Sequence, residues 1–304
     1  MDRNPYLSIL IPTKDNEIDL IDCLNSVSSL NYPFENIEII IWDNNSTAKS
    51  KNKIKDHISY MKKYRFDRIE LIENDSNSGV YNSRDQLLKL ISSHTQFVLS
   101  IDDDVIIPCE LFAKLLPIFF KNKSIGIIGP RIIYDDGSFQ TAHGAGFINW
   151  WFGKYYVKDS KKSLECDYVI GCCMFIRKSV IEEVGGFDRD YYTSHGEVDF
   201  CLKTRQKGYS ILYYPNVCVR HRVERGGTQT LERKYYVIRN KLFVLKKNAP
   251  LPQKWIAMVF YFLFWPPKIM LQSVMRNGRF DSHEIRLLFR AIFDGWLNKA
   301  GKKI

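Results

Sequence analysis

Three consecutive carboxylates, Asp102, Asp103 and Asp104, interrupt the apolar stretch FVLSIDDDVIIP at 97–108. Adjacent like charges repel, and desolvating them beside an apolar strand is costly unless something neutralises them. In an extended segment Asp102 and Asp104 project to one side and Asp103 to the other. Two hard oxygen donors at that spacing suit Mg²⁺ or Mn²⁺, which would typically also hold a diphosphate. A lone D-x-D is common by chance. The strand end, the third carboxylate and the apolar flanks favour a cation site over a solvated turn.

The elements that must position this cluster can be read from periodicity. Strand-like runs cover 7–11, 37–42, 69–73, 96–101 and 125–129, and between them DLIDCLNSVSSL, KNKIKDHISYMKKY and YNSRDQLLKLISS carry apolar residues at helical spacing. This alternation predicts an α/β fold with a mainly parallel, doubly wound sheet and ligands at the carboxyl ends of its strands. The carboxylate triplet ends the fourth strand, and Asp43 ends the second, where it could bond a ribose or base. Residues 134–165 read as a long loop or short strands over a site. Within them GAGFINWWFG presents Trp150 and Trp151, whose rings could stack on an acceptor sugar or meet lipid, burial being the alternative.

Further along, YVIGCCMFI (168–176) reads as a buried strand and SVIEEVG as a short helix. DFCLKTRQKG reads as a helix closed by Gly208, and ILYYP and VCVRH as the last strands. A basic helix, LERKYYVIRNKLFVLKKN, follows. The apolar run WIAMVFYFLFW is then interrupted at Pro266–Pro267, and an amphipathic helix, EIRLLFRAIFDGWLNKAGKK, closes the chain.

At 304 residues the chain suits one or two domains, and its 45% hydrophobic and 26% charged residues are those of a globular protein. The formal net charge of +10 calls for an anionic partner. From Lys246 onward there are eleven Lys or Arg against three Asp or Glu, so most of the excess lies in the tail. A nucleic-acid partner would explain the charge but not carboxylates at a strand end, so none is expected. The seven scattered cysteines form no C-x-x-C pair, which suggests reduced thiols in a cytosolic compartment. MDRNPYLSILIPTK reads as a first strand rather than a signal peptide. There is no G-x-x-x-x-G-K-[ST] or G-x-G-x-x-G, which argues against P-loop and dinucleotide enzymes.

Several segments together resemble the family 2 glycosyltransferases, which have the GT-A fold. SILIPTKDNEIDLIDCLNSV is similar to their opening strand and helix, WDNNST to their second strand end, and IDDDV to their D-x-D. NSGVYNSRDQLL resembles their N-x-G-x-x-x-A-R-N segment, with Ser83 and Asp85 in place of Ala and Asn. The stretch from Gly171 to His221 resembles their block carrying the catalytic carboxylate and a terminal metal-binding His. The resemblance covers roughly residues 6–248 and is nearest to rhamnosyltransferase-like, membrane-associated members.

That resemblance implies an inverting, metal-dependent, non-processive transfer of one sugar from a dTDP-, UDP- or GDP-sugar to a lipid-linked or cell-surface glycan. It implies Asp102, Asp104 and His221 as ligands of Mn²⁺ or Mg²⁺. It assigns Thr13, Asp43, Gly79, Arg84, Asp102 and Asp103 to the nucleotide sugar. Inversion in one displacement requires a base. The family's Glu-Asp pair is matched by Gly196-Glu197, which makes Glu197 the candidate base, with Asp199 the alternative if it does not simply cap the helix beginning there. A catalytically inactive, nucleotide-sugar-binding scaffold is the competing reading.

The expected division is a catalytic domain over 1–248 and a helical tail over 249–304. An apolar run shorter than the roughly 20 residues of a span suits an interfacial segment. It is flanked by Lys254, Lys268, Arg276 and Arg279, with Trp255 and Trp265 as an aromatic belt. The tail is therefore expected to dock peripherally on the cytoplasmic face of a membrane, with a homodimer interface or packing on the catalytic domain as alternatives.

Overall fold

Every residue of the first strand, β1 (Leu7–Thr13), is buried, as a strand covered by helices on both faces must be. The computed structural model describes residues 4–66, 68–222, 230–277 and 281–304. After β1 come α1 (Glu17–Ser28), β2 (Ile37–Asp43), α2 (Ala48–Tyr64), β3 (Ile69–Glu73), α3 (Val80–Leu88) and β4 (Phe97–Ile101). The middle of the chain holds β5 (Val105–Ile106), α4 (Leu111–Lys121), β6 (Ile125–Tyr134), β7 (Thr141–His143), β8 (Ala145–Asn149), β9 (Lys154–Lys158) and β10 (Leu164–Cys166). Then follow β11 (Cys173–Arg177), α5 (Lys178–Val184), α6 (Gly196–Gln206), β12 (Ser210–His221), α7 (Leu231–Asn248), α8 (Gln253–Asn277) and α9 (Ser282–Trp296).

The main sheet runs β10-β12-β6-β11-β4-β1-β2-β3. Its β4-β1-β2-β3 half is parallel, as strand–helix alternation predicts. Beyond β4 the sheet becomes mixed, because β11 lies antiparallel between β4 and β6 while β6 and β12 are parallel. The expected strand over 168–176 begins only at Cys173. An isolated bridge between Gly146 and Tyr168 ties the preceding residues to β8 instead. ILYYP and VCVRH form one strand, β12, with a register shift between Tyr214 and Cys218.

One core on the first face of the sheet gathers Ile9, Ile11, Leu24, Ile54 and Phe112, and a second gathers Leu10, Val98, Leu87, Phe200 and Phe243. Each fully buried side chain of this size stabilises the fold by roughly 1.5–3 kcal/mol. A third cluster joins α7, α8 and α9 through Tyr235, Tyr261, Leu288 and Ile292 and takes in Tyr192 from the loop before α6. Phe243 of α7 belongs to the second core, and Trp150 packs against both the second and the third. Helices α8 and α9 thus pack on α7, Tyr192 and Trp150.

Pro266 and Pro267 do not break α8, which continues from Gln253 to Asn277. A proline frees the carbonyl four residues before it. Here those are Phe262 and Leu263, both half-exposed, where water can take the freed groups. Among the described residues, no helix is long and apolar enough to cross a membrane. Arg279 lies outside the described residues, as do the side chains of Lys268 and Arg276.

Candidate active site

The cation cluster is assembled by a short ladder. β4 ends at Ile101, Asp102–Asp104 form the turn, and β5 then pairs antiparallel with the end of β12, Val105 opposite His221. Arg222 N–H also donates to the Asp104 carbonyl at 3.0 Å. His221 is thereby held with Nε2 3.0 Å from Asp104 Oδ1. One donor atom each from Asp102, Asp104 and His221 lie within 4.8 Å of one another.

These residues fit a divalent cation. His221 Nδ1 is buried without a hydrogen-bond partner, and Asp104 Oδ1 is buried facing the His221 imidazole. Burial disfavours an imidazolium at His221, yet Cys172 and Asp104 outweigh it and hold the group well above the usual histidine range. The Asp102 and Asp104 carboxylates attract positive charge to the point where their oxygens and the His221 imidazole converge. Two carboxylates and an imidazole make a donor set that suits Mn²⁺, and Mg²⁺ less well.

Asp103 turns the other way and accepts from Thr13 Oγ1 at 2.6 Å. Burial pushes its carboxyl up to about 7, against the opposing pull of the Thr13 bond. Arg84, on α3, is buried and donates to Asp102 Oδ1 and, at 2.7 Å, to the Gly171 carbonyl. A Cβ at Gly171 would stand 2.5 Å from Arg84 Nη1 and 3.2 Å from Glu197 Cβ, so glycine is what lets the guanidinium pass. Gly79 opens α3 at φ +89°, and a Cβ there would meet the Tyr192 carbonyl at 2.4 Å.

Glu197 occupies the first turn of α6, buried, with its carboxylate accepting from the Tyr81 hydroxyl. Burial raises its pKa while the Tyr81 bond opposes the rise. Gly196 belongs to the same arrangement, since a Cβ there would come within 2.5 Å of the Tyr81 ring. Glu197, Arg84 and the three candidate metal ligands all line one cleft of about 1160 Å³, with Thr13 and Asp103.

Asp43, Gly79, Trp150, Trp151 and Asp199 do not line the cleft, and Asp199 is not the expected cap. Asp199 is fully buried away from the cleft, accepting from Asn248 Nδ2 at 2.7 Å and paired with Lys203 at 2.6 Å. Nor does it cap α6, which starts three residues earlier with His195 as N-cap. Asp43 is also fully buried: Ser46 N–H donates to it and Lys51 pairs with it at 3.5 Å. Its neighbour Asn44 lines the cleft instead, bonded to Asn77 at 2.9 Å. Trp151 is exposed and lines no part of the cleft, while Trp150 is packed between two cores. The aromatic wall is made by Tyr155, Tyr168 and Tyr192. Of the residues that sequence reasoning missed, Tyr81 carried a signal, since three residues before Arg84 on a helix it shares a face with it.

A family model described as Glycosyl transferase family 2 matches residues 8–185, and one described as Glycosyl transferase family group 2 matches residues 97–287. The chain is 22% identical over 281 residues to Glycosyltransferase AglE of Haloferax volcanii, covering 90% of this chain and 87% of that protein. It is 21% identical over 224 residues to dTDP-rhamnosyl transferase RfbF of Shigella flexneri, covering 70% and 72%. In fold it is similar to mannosyltransferase PcManGT from Pyrobaculum calidifontis, solved in complex with GDP-Man and Mn²⁺, at TM-score 0.64 and 14% identity over 98% of this chain and 89% of that one. With the first model spanning more than half of its length and a GT-A sheet carrying the cleft, the chain belongs to glycosyl transferase family 2.

Proposed function

We propose that this glycosyltransferase moves one sugar, with inversion and without processive extension, from a nucleotide-diphosphate sugar to a lipid-linked or cell-surface glycan. The observation that carries the reading is the convergence of Asp102, Asp104 and His221 on the cleft into which the buried Glu197 also opens. Mn²⁺ or Mg²⁺ held by those three ligands would stabilise the charge that develops on the leaving diphosphate. Arg84 orients Asp102 through their ion pair. Thr13 does the same for Asp103, and Asn44 and Asn77 line the same cleft as candidate contacts to the nucleotide. Glu197 takes the proton of the acceptor hydroxyl as its oxygen bonds the anomeric carbon and the bond to the diphosphate oxygen breaks.

Among the relatives, RfbF is named for dTDP-rhamnose chemistry and PcManGT was solved with GDP-Man and Mn²⁺, so the donor is drawn from dTDP-, UDP- and GDP-sugars. The test is thermal stabilisation by dTDP, UDP and GDP, each with and without Mn²⁺, for wild type and Asp104→Ala. One nucleotide should shift the melting temperature only when Mn²⁺ and Asp104 are both present. No shift with any of them would overturn the reading. A nucleotide-sugar-binding scaffold is the second reading, favoured by Gly196-Glu197 in place of Glu-Asp and by the Tyr81 bond on Glu197. Binding without turnover on any acceptor would establish it.

Residues 249–304 serve in this reading as a docking module on the cytoplasmic face of the membrane. Its support is the exposed apolar surface of α8 and α9 together with the basic excess of the tail.

A further inference from the structure

One wall of the cleft carries polar groups that the donor chemistry leaves unused. Tyr155 on β9, His195 before α6 and Lys241 on α7 all line it. The Lys241 ammonium lies 5.2 Å from the centre of the Tyr155 ring and 5.6 Å from that of Trp265 on α8. His195 meets the Tyr155 ring edge-on at 5.2 Å. Tyr155 Oη and His195 Nδ1, both on the cleft, are buried with no hydrogen-bond partner. Native proteins leave few buried polar atoms in that condition, and a cluster of them on a cleft marks a place for a polar ligand.

The sign of that ligand follows from the helix behind it. Arg233, Val237 and Lys241 fall four residues apart on α7, and all three line the cleft. The wall therefore offers two cations, beside the single Glu232 carboxylate of α7, and hydroxyl or imidazole N–H donors, whereas Asp102 and Asp104 mark the donor end. A neutral oligosaccharide needs no such cations. An anion held there would meet charge-assisted donors. The wall also adjoins the candidate base, since His195 stands two residues before Glu197. An acceptor anchored on it would have its nearest sugar hydroxyls within reach of that carboxylate. Trp265 connects the wall to α8, whose other face is apolar and exposed.

Resting on the glycosyltransferase reading above, we propose that Tyr155, His195 and Lys241, with Arg233, form the acceptor subsite and bind the phosphate or diphosphate through which the acceptor sugar is joined to a lipid. Burial and Lys241 hold the His195 imidazole neutral, near a pKa of about 3, so it can donate one hydrogen bond without adding charge.

The probe is decyl diphosphate, titrated calorimetrically in EDTA so that the metal-dependent donor site is silent, with decyl glucoside as the uncharged control. Wild type should bind decyl diphosphate at least tenfold more tightly than decyl glucoside. Lys241→Gln should lose about tenfold in affinity, Lys241→Arg should stay within about threefold, and Tyr155→Phe should lose a few-fold. Asp104→Ala should leave this binding unchanged while abolishing the Mn²⁺-dependent nucleotide shift, and Lys241→Gln should do the reverse. Equal binding of decyl glucoside, or indifference to Lys241→Gln in a variant whose melting temperature is retained, overturns the subsite. Loss of nucleotide binding in wild type overturns the transferase mechanism instead, and the decyl diphosphate result stands apart from it.

Discussion

The hydroxyl of Tyr81 donates to the carboxylate of Glu197 where α3 meets the first turn of α6, joining residues 116 apart in sequence. A donor to the charged form lowers a carboxyl pKa, and burial raises it. At Glu197 burial is the larger effect, so its pKa lies above the ordinary glutamate range. A base must be ionised to accept a proton, so kcat/KM should fall as pH drops through that raised value. In Tyr81→Phe the opposing bond is gone. The acidic limb should therefore move to higher pH. A pH profile of kcat/KM for both proteins checks this, and an unmoved limb would exclude Glu197 as the titrating base.

Glu197→Gln keeps the shape and removes the base. It should lower kcat by about 10²–10⁴-fold while Mn²⁺-dependent nucleotide binding persists. Asp199→Asn is the contrasting variant. Asp199 is held by Lys203 and Asn248 outside the cleft, so neutralising it should lower the melting temperature and spare most of the kcat of the folded protein. Single-turnover rates beside melting curves separate the two, and the opposite pattern would give the base role to Asp199.

What was legible in the sequence was what local pattern encodes. β1 to β4 and α1 to α3 carry their periods within a dozen residues, and the Asp102–Asp104 triplet announces itself because charge at the end of an apolar strand needs a cause. What was hidden depends on approach between distant segments. Asp43 has the type and place of a ribose ligand, but Ser46 N–H and Lys51 already satisfy it. Gly171 is necessary only because Arg84 passes over it. The aromatic side of the cleft was sought at Trp150–Trp151, whereas the β8–β9 hairpin points Tyr155 inward and leaves Trp151 exposed.

The tail also reaches the site through α7. Asn240 is fully buried, and its amide donates to the carbonyls of Thr193 at 2.6 Å and Ser194 at 2.8 Å. Ser194 and His195, three and two residues before Glu197, are in the left-handed region, at φ 61° and 68°. Arg239 Nε donates to Asn240 Oδ1 at 2.9 Å, and its Nη1 donates to the Gly301 carbonyl at 2.6 Å. Asn240→Ala leaves two carbonyls without their donor, at a cost of about 1–3 kcal/mol each where they stay dry. It should lower kcat more than tenfold with nucleotide affinity within about twofold, because the turn carrying Glu197 relaxes. Truncation after Asn298 should act in the same direction by removing the carbonyls of Lys299 and Gly301 that hold Arg239. If affinity and kcat fall together, the clamp supports the whole fold rather than the turn.

Trp255, Val259, Phe262 and Leu263 lie at helical spacing along one face of α8, each at least half exposed, and Phe289, Phe293 and Trp296 form a similar stripe on α9. The stripes adjoin, with Phe262 and Trp296 rings 6.0 Å apart. An exposed apolar surface of this extent beside a basic excess suits an anionic bilayer. Wild type should co-sediment with vesicles containing about a third anionic lipid. High salt should weaken that binding only partly, because screening removes the electrostatic part and leaves the apolar one. Phe262→Ser with Leu263→Ser should reduce binding at least tenfold, since each side chain contributes on the order of 1 kcal/mol even when only partly buried in the interface. Loss of all binding in high salt would make the contact purely electrostatic. A wild-type dimer that the double variant converts to monomer, with vesicle binding unchanged, would assign the apolar face to a second copy of the chain.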